Sequence, residues 1–123
     1  EASIAMTDVT EKKCVPCEGG TPPLQAKQIE EYLNQLPLAG KGWDVIDGNP
    51  LTGLGASIRK EFNFKNFKEA LDFVNKIGEL AEQENHHPDI FLAWGKVIAE
   101  LSTHAIGGLS ENDFILAAKI ESL

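Results

Sequence analysis

The sequence predicts an α+β fold, a four-stranded antiparallel sheet with three helices packed on one face. The main observation is the order of hydrophobic periodicities along the chain, which reads helix, strand, strand, helix, strand, strand, helix. A second observation is that the strands of each pair are joined by short turn-forming segments, so neighbouring strands are expected to pair antiparallel. Such a sheet leaves one face for the helices to cover.

The 123-residue chain has the length of one domain. We predict a single domain over residues 21–123, preceded by an N-terminal arm over residues 1–20. The arm carries charges, glycines and the segment Cys14-Val15-Pro16-Cys17, and it lacks an apolar period. Residues 1–5 precede Met6, and we expect them to be an added segment with no part in the fold.

The first and last helices are placed by their end signals. The first is predicted to begin at Thr21, with Pro22-Pro23 in its first turn, and to end before Leu36-Pro37. The last is predicted to begin at Ser110, because Asp113 three residues later completes a capping box.

The second helix is the longest. It is predicted to begin at Asn66, because Asn66 followed by Glu69 resembles a capping box. It is predicted to end near His86 or His87 because Pro88 follows. Helical spacing predicts a buried stripe made of Phe67, Leu71, Val74, Ile77 and Ala81.

Four segments have the composition of strands. Residues 43–46 and 57–64 form the first pair, with turn chemistry in Asp47-Gly48-Asn49-Pro50. Residues 90–94 and 97–101 are predicted to form a hairpin around Gly95-Lys96. Four aromatic residues are expected in the core rather than in a cofactor site: Phe62, Phe64, Phe67 and Trp94.

The composition excludes several classes of protein. Hydrophobic residues make up 42% of the chain and charged residues 24%, which is typical of a globular protein and not of a disordered one. A net charge of −8 disfavours binding to nucleic acid or to an anionic membrane. No apolar run approaches the roughly 20 residues of a membrane helix, and no secretory signal is visible. We therefore expect a cytoplasmic protein.

All three histidines lie between positions 86 and 104. A hairpin returns the end of its second strand beside the start of its first, so His104 is expected to lie near His86 and His87. Glu82 precedes His86 by four residues and would share its face if the helix persists. Asp113, in the first turn of the last helix, is within reach of the same place.

Each of these residues also has a simpler interpretation. His86-His87-Pro88 would serve as a helix stop, Asp113 as a capping residue and Glu82 as a solvated side chain. Zinc is a further alternative, bound by three histidines and a carboxylate, or by Cys14 and Cys17 with two histidines. Adjacent side chains in extended backbone point in opposite directions, which counts against zinc binding by both His86 and His87.

An ordered signature runs through Glu82–Pro88, Trp94, Leu101–His104, Gly108–Ser110 and Asp113. It resembles that of the pterin-4a-carbinolamine dehydratases, also known as dimerisation cofactors of a homeodomain transcription factor. The resemblance covers about residues 13–123. The arm from Cys14 to Gly20 is similar to that of family members outside the animal branch. Ile98 and Glu100 depart from the polar or histidine residues common in animal members.

The resemblance implies the reaction: loss of water from a 4a-hydroxytetrahydropterin to give a quinonoid dihydropterin, which recycles tetrahydrobiopterin for aromatic amino-acid hydroxylases. It implies no metal and no organic cofactor, a pterin as the small-molecule partner, and a homodimer or homotetramer. Imidazole suits the two proton transfers because its ordinary pKa is about 6.5.

By resemblance, the catalytic residues are His86, His87 and His104, and Glu82 and Asp113 support them. The residues expected to contact the pterin are His86, His87, Pro88, Thr103, His104 and Ala105. Two other functions stay open: a dimerising interaction module of the transcriptional coactivator type with little catalysis, and a small zinc protein.

Overall fold

The computed structural model describes residues 9–15, 21–48 and 54–123. Within these residues the helices are α1 (Ala26–Gln35), α2 (Phe67–Glu84) and α3 (Glu111–Glu121). The strands are β1 (Asp44–Ile46), β2 (Ser57–Asn63), β3 (Asp89–Ala93) and β4 (Lys96–Leu101). Short 3-10 helices occupy Val9–Glu11, Pro37–Gly40 and His104–Ile106.

The four strands form one antiparallel sheet in the order β1-β2-β4-β3. The predicted α+β fold, with its element order, is confirmed. One face of the sheet is apolar and covered: Ile58, Val97 and Leu101 are completely buried in the core cluster that also contains residues of all three helices. The register pairs Ile58 with Leu101, which sets these side chains side by side on that face.

Helix α3 lies in the middle of the core. Its residues from Asn112 to Ala118 are all buried, so it is enclosed rather than amphipathic. The predicted capping box at its start is confirmed, because Ser110 and Asp113 exchange side-chain and backbone hydrogen bonds. This helix start is therefore an interior feature of the protein, and its polar groups face the site described below.

The predicted start of the first helix at Thr21 was wrong. Helix α1 begins at Ala26, after Gln25, which forms the capping box with Gln28. The Gln28 side chain accepts a hydrogen bond from the Gln25 backbone N–H at 3.0 Å. Glutamine is an uncommon cap, whereas Thr21 followed by two prolines is a strong signal for a helix start. The predicted start was therefore placed too early in the sequence. The predicted end is confirmed, because α1 stops at Gln35.

Helix α2 starts where predicted, but its buried face differs. Asn66 caps the helix by accepting from the Glu69 backbone N–H at 2.9 Å. The predicted stripe was wrong at its start, since Phe67 and Leu71 are exposed. The rest of the stripe is confirmed: Ile77 and Ala81 are buried, and Val74 is partly buried against the core. Ala70 and Glu84 complete the buried face. Small alanine side chains let the helix approach its neighbours closely. The row of residues that contains them is therefore the part of the wider apolar surface that is buried.

The hairpin forms as predicted except at its tip. Strands β3 and β4 pair Ile90 with Ala99 and Leu92 with Val97. Trp94 lies in the turn beyond the last paired residues and is 68% exposed, so its assignment to the core was wrong. Phe62 and Phe64, also predicted in the core, are half-buried against it. Asn49 and Pro50 of the predicted turn lie outside the described residues.

The described part of the arm is packed onto the body. Val9 is completely buried in the core, and Lys12 forms an ion pair of 2.5 Å with Glu111 at the start of α3. Residues 12–15 have no regular secondary structure. Among the described residues, no helix has the length and apolar character needed to cross a membrane.

Candidate active site

The end of α2 presents two of the three histidines. Asn85 adopts a left-handed conformation with φ of 52°, and both its N–H and that of His86 donate to the Ala81 carbonyl. Asparagine tolerates this conformation better than most residues, and it closes the helix. The chain therefore leaves α2 at Glu84, and His86 and His87 lie on the segment that leads into β3.

The hairpin brings the third histidine to the same place. Strand β3 starts opposite the end of β4, with Asp89 paired to Glu100, so the residues after Leu101 lie beside those before Asp89. A cavity of about 470 Å³ opens there. The predicted return of His104 to His86 and His87 is confirmed in geometry. Every residue predicted to contact the substrate lines this cavity: His86, His87, Pro88, Thr103, His104 and Ala105.

His86 is held by a buried carboxylate. Its Nε2 lies 2.7 Å from Asp113 Oδ1, and the Asp113 side chain is 0% exposed while that of His86 is 12% exposed. The other oxygen of Asp113 accepts from the Thr103 hydroxyl at 2.8 Å and from the Ser110 backbone N–H at 3.0 Å. Asp113 is thus both a capping residue and the partner of His86, so the structural and the functional interpretations of this residue are compatible.

These hydrogen bonds have a consistent direction. Thr103 donates its only hydroxyl proton to Asp113, so the 2.7 Å contact between Thr103 Oγ1 and Ser110 Oγ is donated by Ser110. With Asp113 acting as an acceptor, His86 donates through Nε2. In the neutral form of this imidazole, Nδ1 is the nitrogen that accepts a hydrogen bond from a ligand.

A tight turn places Thr103 against the start of α3. The Thr103 N–H donates to the Gly108 carbonyl at 2.8 Å, and Gly107 takes a left-handed φ of 71°. A side chain at Gly107 would adopt this conformation only with strain. The turn therefore carries the chain from the end of β4 to Ser110 in a few residues.

His87 has a different carboxylate partner from the one expected. Its Nε2 lies 2.6 Å from Glu82 Oε2, so Glu82 pairs with His87 and not with His86. Helical spacing predicted a pair with His86, but α2 ends at Glu84 and His86 turns inward to Asp113. The pair is open to solvent, with the His87 side chain 54% and the Glu82 side chain 79% exposed.

His104 is the third imidazole of the cavity and begins the 3-10 helix His104–Ile106. Its side chain is exposed, and it makes no side-chain hydrogen bond within residues 9–15, 21–48 and 54–123. Both of its ring nitrogens are therefore available to a ligand, unlike those of His86 and His87.

Five residues of the cavity wall were not among the predicted site residues: Val15, Asn85, Asp89, Ser102 and Asn112. Two of them come from elements that do not carry the histidines. Val15 of the arm and Asn112 of α3 both line the cavity, and the Asn112 amide bonds to the Val15 backbone. They are 97 residues apart along the chain. No local pattern links them, although the position of Asn112 directly before Asp113 was a usable signal.

The structure also bears on the alternative of a zinc site. Within the described residues, no three histidine, cysteine, aspartate or glutamate side chains are grouped so that they could hold a metal ion. Cys17, which one of the zinc alternatives needs, lies outside the described residues. A larger groove of about 670 Å³ near Phe62, Phe73 and Lys60 contains no histidine. The three histidines, which are the groups suited to proton transfer, line the smaller cavity instead.

Comparison with known proteins settles the family. Residues 22–123 match the family described as pterin 4 alpha carbinolamine dehydratase. The chain belongs to this family. A relative from Rubrobacter xylanophilus, provisionally named as a pterin-4-alpha-carbinolamine dehydratase, is 49% identical over 118 residues, covering 96% of this chain and 100% of the relative. A relative from Alkaliphilus metalliredigens with the same provisional name is 51% identical over 116 residues, covering 94% of this chain and 96% of the relative.

Two solved structures share the fold of this chain. A transcriptional coactivator/pterin dehydratase from Brucella melitensis has a TM-score of 0.68 and 31% identity, covering 81% of this chain and 96% of that one. A pterin dehydratase-like protein described as a RuBisCO assembly factor in the alpha-carboxysome has a TM-score of 0.54 and 20% identity, covering 66% and 87%. The second comparison shows the fold alone, and its described role differs from catalysis.

Proposed function

We propose that this chain catalyses the dehydration of a 4a-hydroxytetrahydropterin to a quinonoid dihydropterin by histidine general acid/base catalysis. The observation that carries the proposal is the convergence of His86, His87 and His104 on one cavity, with carboxylates behind two of them. The role in the cell would be the recycling of a tetrahydropterin cofactor after its hydroxylation.

The reaction needs two proton transfers. The hydroxyl on the 4a carbon is a poor leaving group until an acid protonates it. The adjacent ring nitrogen must give up a proton as its double bond to that carbon forms. One proton is supplied and one is taken up, so the products are the quinonoid dihydropterin and one molecule of water. Imidazoles suit both steps because they exchange protons near neutral pH.

His87 and His104 are proposed as the acid and the base. Both are exposed side chains of the cavity, one from the segment before β3 and the other from the turn after β4. They approach a bound ring from different segments of the chain, as two groups must if they act on neighbouring atoms. Either nitrogen of His104 is open to a ligand, whereas Glu82 orients His87 through Nε2.

His86 is proposed to bind and position the pterin. It is the least exposed of the three histidines of the cavity. The buried Asp113 fixes the orientation of its ring. A ring held in this way offers Nδ1 as a fixed acceptor for an N–H group of the pterin. The backbone around Pro88 and from Thr103 to Ala105 would contact the pterin ring.

The experiment is a direct dehydration assay with a freshly generated 4a-hydroxytetrahydropterin, followed by the absorbance of the quinonoid product. Wild-type protein should accelerate the reaction over its spontaneous rate. His104→Ala should lose roughly 10²–10⁴-fold in turnover while keeping its circular dichroism spectrum. Gln83→Ala, an exposed change on α2 beside Glu82, is the control and should keep wild-type turnover. Failure of the wild type to exceed the spontaneous rate would overturn the proposal.

An interaction role has its own supporting observation. Strand β3 is at an edge of the sheet, and Phe91 on it is exposed. An exposed apolar edge strand is a surface for pairing with another chain. We propose that the protein forms a homodimer or homotetramer in which this edge takes part. Light scattering should give a multiple of 13.4 kDa for the wild type and a lower multiple for Phe91→Asp. A monomeric wild type would contradict the assembly.

A further inference from the structure

We propose that Val15 of the N-terminal arm is a substrate-contacting residue of the histidine cavity, and that Asn112 and Glu84 are the positioning residues that hold it there. The inference rests on the proposed function and names a part of the site that lies before the dehydratase domain. It assigns the arm a role in substrate binding.

Val15 has an unusual environment for an apolar residue. It is 62% exposed, yet it lies on the wall of the cavity that contains the three histidines. Pro88 and Ala105 are the other nonpolar residues of this wall, and the remainder is polar. A fused pterin ring needs apolar surface as well as hydrogen-bonding groups. Contact with such a ring would remove the Val15 side chain from water, which favours binding.

The Asn112 side chain fixes the backbone of Val15 on both sides. The Val15 N–H donates to Asn112 Oδ1 at 3.0 Å, and Asn112 Nδ2 donates to the Val15 carbonyl at 2.5 Å. The Asn112 side-chain amide thus makes the two backbone hydrogen bonds that a neighbouring β-strand would otherwise make to Val15. Asn112 is itself buried, so these hydrogen bonds are shielded from water on its side.

The adjacent residue of the arm has a second anchor at the end of α2. The Cys14 N–H donates to Glu84 Oε1 at 2.9 Å, and the Glu84 side chain is only 4% exposed. Lys119 at 3.9 Å and Lys13 at 3.5 Å from Glu84 Oε2 balance its charge. Burial alone would raise the pKa of Glu84, but the Cys14 N–H and the two ammonium groups outweigh it and lower the pKa.

Both anchors belong to the segments that carry the catalytic groups. Asn112 directly precedes Asp113, the partner of His86, in the first turn of α3. Glu84 is the last residue of α2, two positions before His86. The arm and the histidine His86 are therefore held by the same two helix ends, and the position of Val15 relative to His86 is defined by short connections.

The test compares Val15→Ala with Leu38→Ala. Leu38 is a highly exposed leucine that does not line the cavity, so it controls for the loss of surface apolar area. Val15→Ala should raise the KM for the 4a-hydroxytetrahydropterin and the Kd for an unreactive dihydropterin by about threefold to tenfold. Its kcat and its melting temperature should stay close to those of the wild type. Leu38→Ala should leave KM, Kd and kcat unchanged.

Asn112→Ala tests the positioning role. It should raise Kd in the same direction, and adding Val15→Ala to it should have little further effect, because the arm is already released. If Asn112→Ala fails to fold, the exposed change Val15→Ala still decides the proposal. An active wild type with unchanged KM and Kd in Val15→Ala would overturn this inference alone. A wild type without dehydratase activity would instead overturn the proposed function.

Discussion

The carboxylate of Asp113 lies 2.7 Å from His86 Nε2, and the two residues are 27 positions apart in the sequence. The Asp113 side chain is completely buried. The neighbouring pair of His87 and Glu82, with a distance of 2.6 Å, is open to solvent. Two adjacent histidines thus have the same kind of partner in opposite environments. The difference in burial separates their expected contributions to stability and to catalysis.

Replacing the buried carboxylate should affect stability first. Asp113→Asn keeps the shape of the side chain but removes the charge and puts an amide donor among groups that donate to it. Because Thr103, Ser110 and His86 all direct hydrogen bonds at this residue, the free energy of unfolding should fall by about 2–4 kcal/mol. Urea denaturation measures it. A variant as stable as the wild type would show that the network contributes no net stability.

Replacing the exposed carboxylate of Glu82 should affect catalysis more than stability. Glu82→Gln should change the free energy of unfolding by less than about 1 kcal/mol, because exposed ion pairs contribute little. Its kcat should fall several-fold, because His87 loses the carboxylate that orients it. The comparison uses denaturation and the dehydration assay on the same preparations. Unchanged kcat in this variant would remove Glu82 from the supporting role.

The anchor at Glu84 predicts a pH dependence of stability. Its pKa is lowered from the ordinary value of 4.5 by the contacts in the folded chain. The charged form is therefore favoured in the folded state, and its contribution is fully present above about pH 4.5 and is lost as the pH falls through the lowered pKa.

Glu84→Gln isolates this contribution because its amide oxygen still accepts from the Cys14 N–H. The difference in free energy of unfolding between wild type and variant should be constant from pH 7 to about pH 5 and should shrink at lower pH. Subtracting the two profiles cancels the titration of the other carboxylates. A difference that stays constant down to pH 3 would contradict the ionic role of Glu84.

The thiol of Cys14 should be unreactive while the arm is docked. Burial, together with the nearby carboxylates of Glu84 and Asp113, raises its pKa to about 12 from the ordinary 9.0. The thiolate is the reactive form, so alkylation by iodoacetamide at pH 8 should be roughly 10²–10³-fold slower than for an exposed thiol. The measurement is made on Cys17→Ser protein, in which Cys14 is the remaining cysteine.

Release of the arm gives the control for this prediction. Asn112→Ala in the same background should accelerate alkylation of Cys14, because the hydrogen bonds that hold Val15 beside it are lost. A rapid reaction in the protein with intact Asn112 would show that residues 14 and 15 are not docked in solution.

The sequence alone determined the parts of this protein that depend on local chemistry. The strands, the hairpin and the cap at Ser110 follow from period, turn and capping signals within a few residues. The proximity of His104 to His86 and His87 also followed from the sequence. A hairpin places the end of its second strand beside the start of its first, although the two are far apart along the chain. The end of α2 was constrained by Pro88, although the left-handed Asn85 closed the helix slightly earlier.

Only the tertiary structure decided which groups are partners. Glu82 bonds to His87 because His86 bonds to Asp113 in the interior. Helical spacing alone could not predict that Asp113 would take His86 as its partner. The exposure of Phe67 and Trp94 likewise depended on which neighbours cover them. Val15 reaches the cavity through Asn112, at a separation of 97 residues. Contacts of this kind arise from burial and the need to satisfy polar groups in three dimensions, which local patterns do not encode.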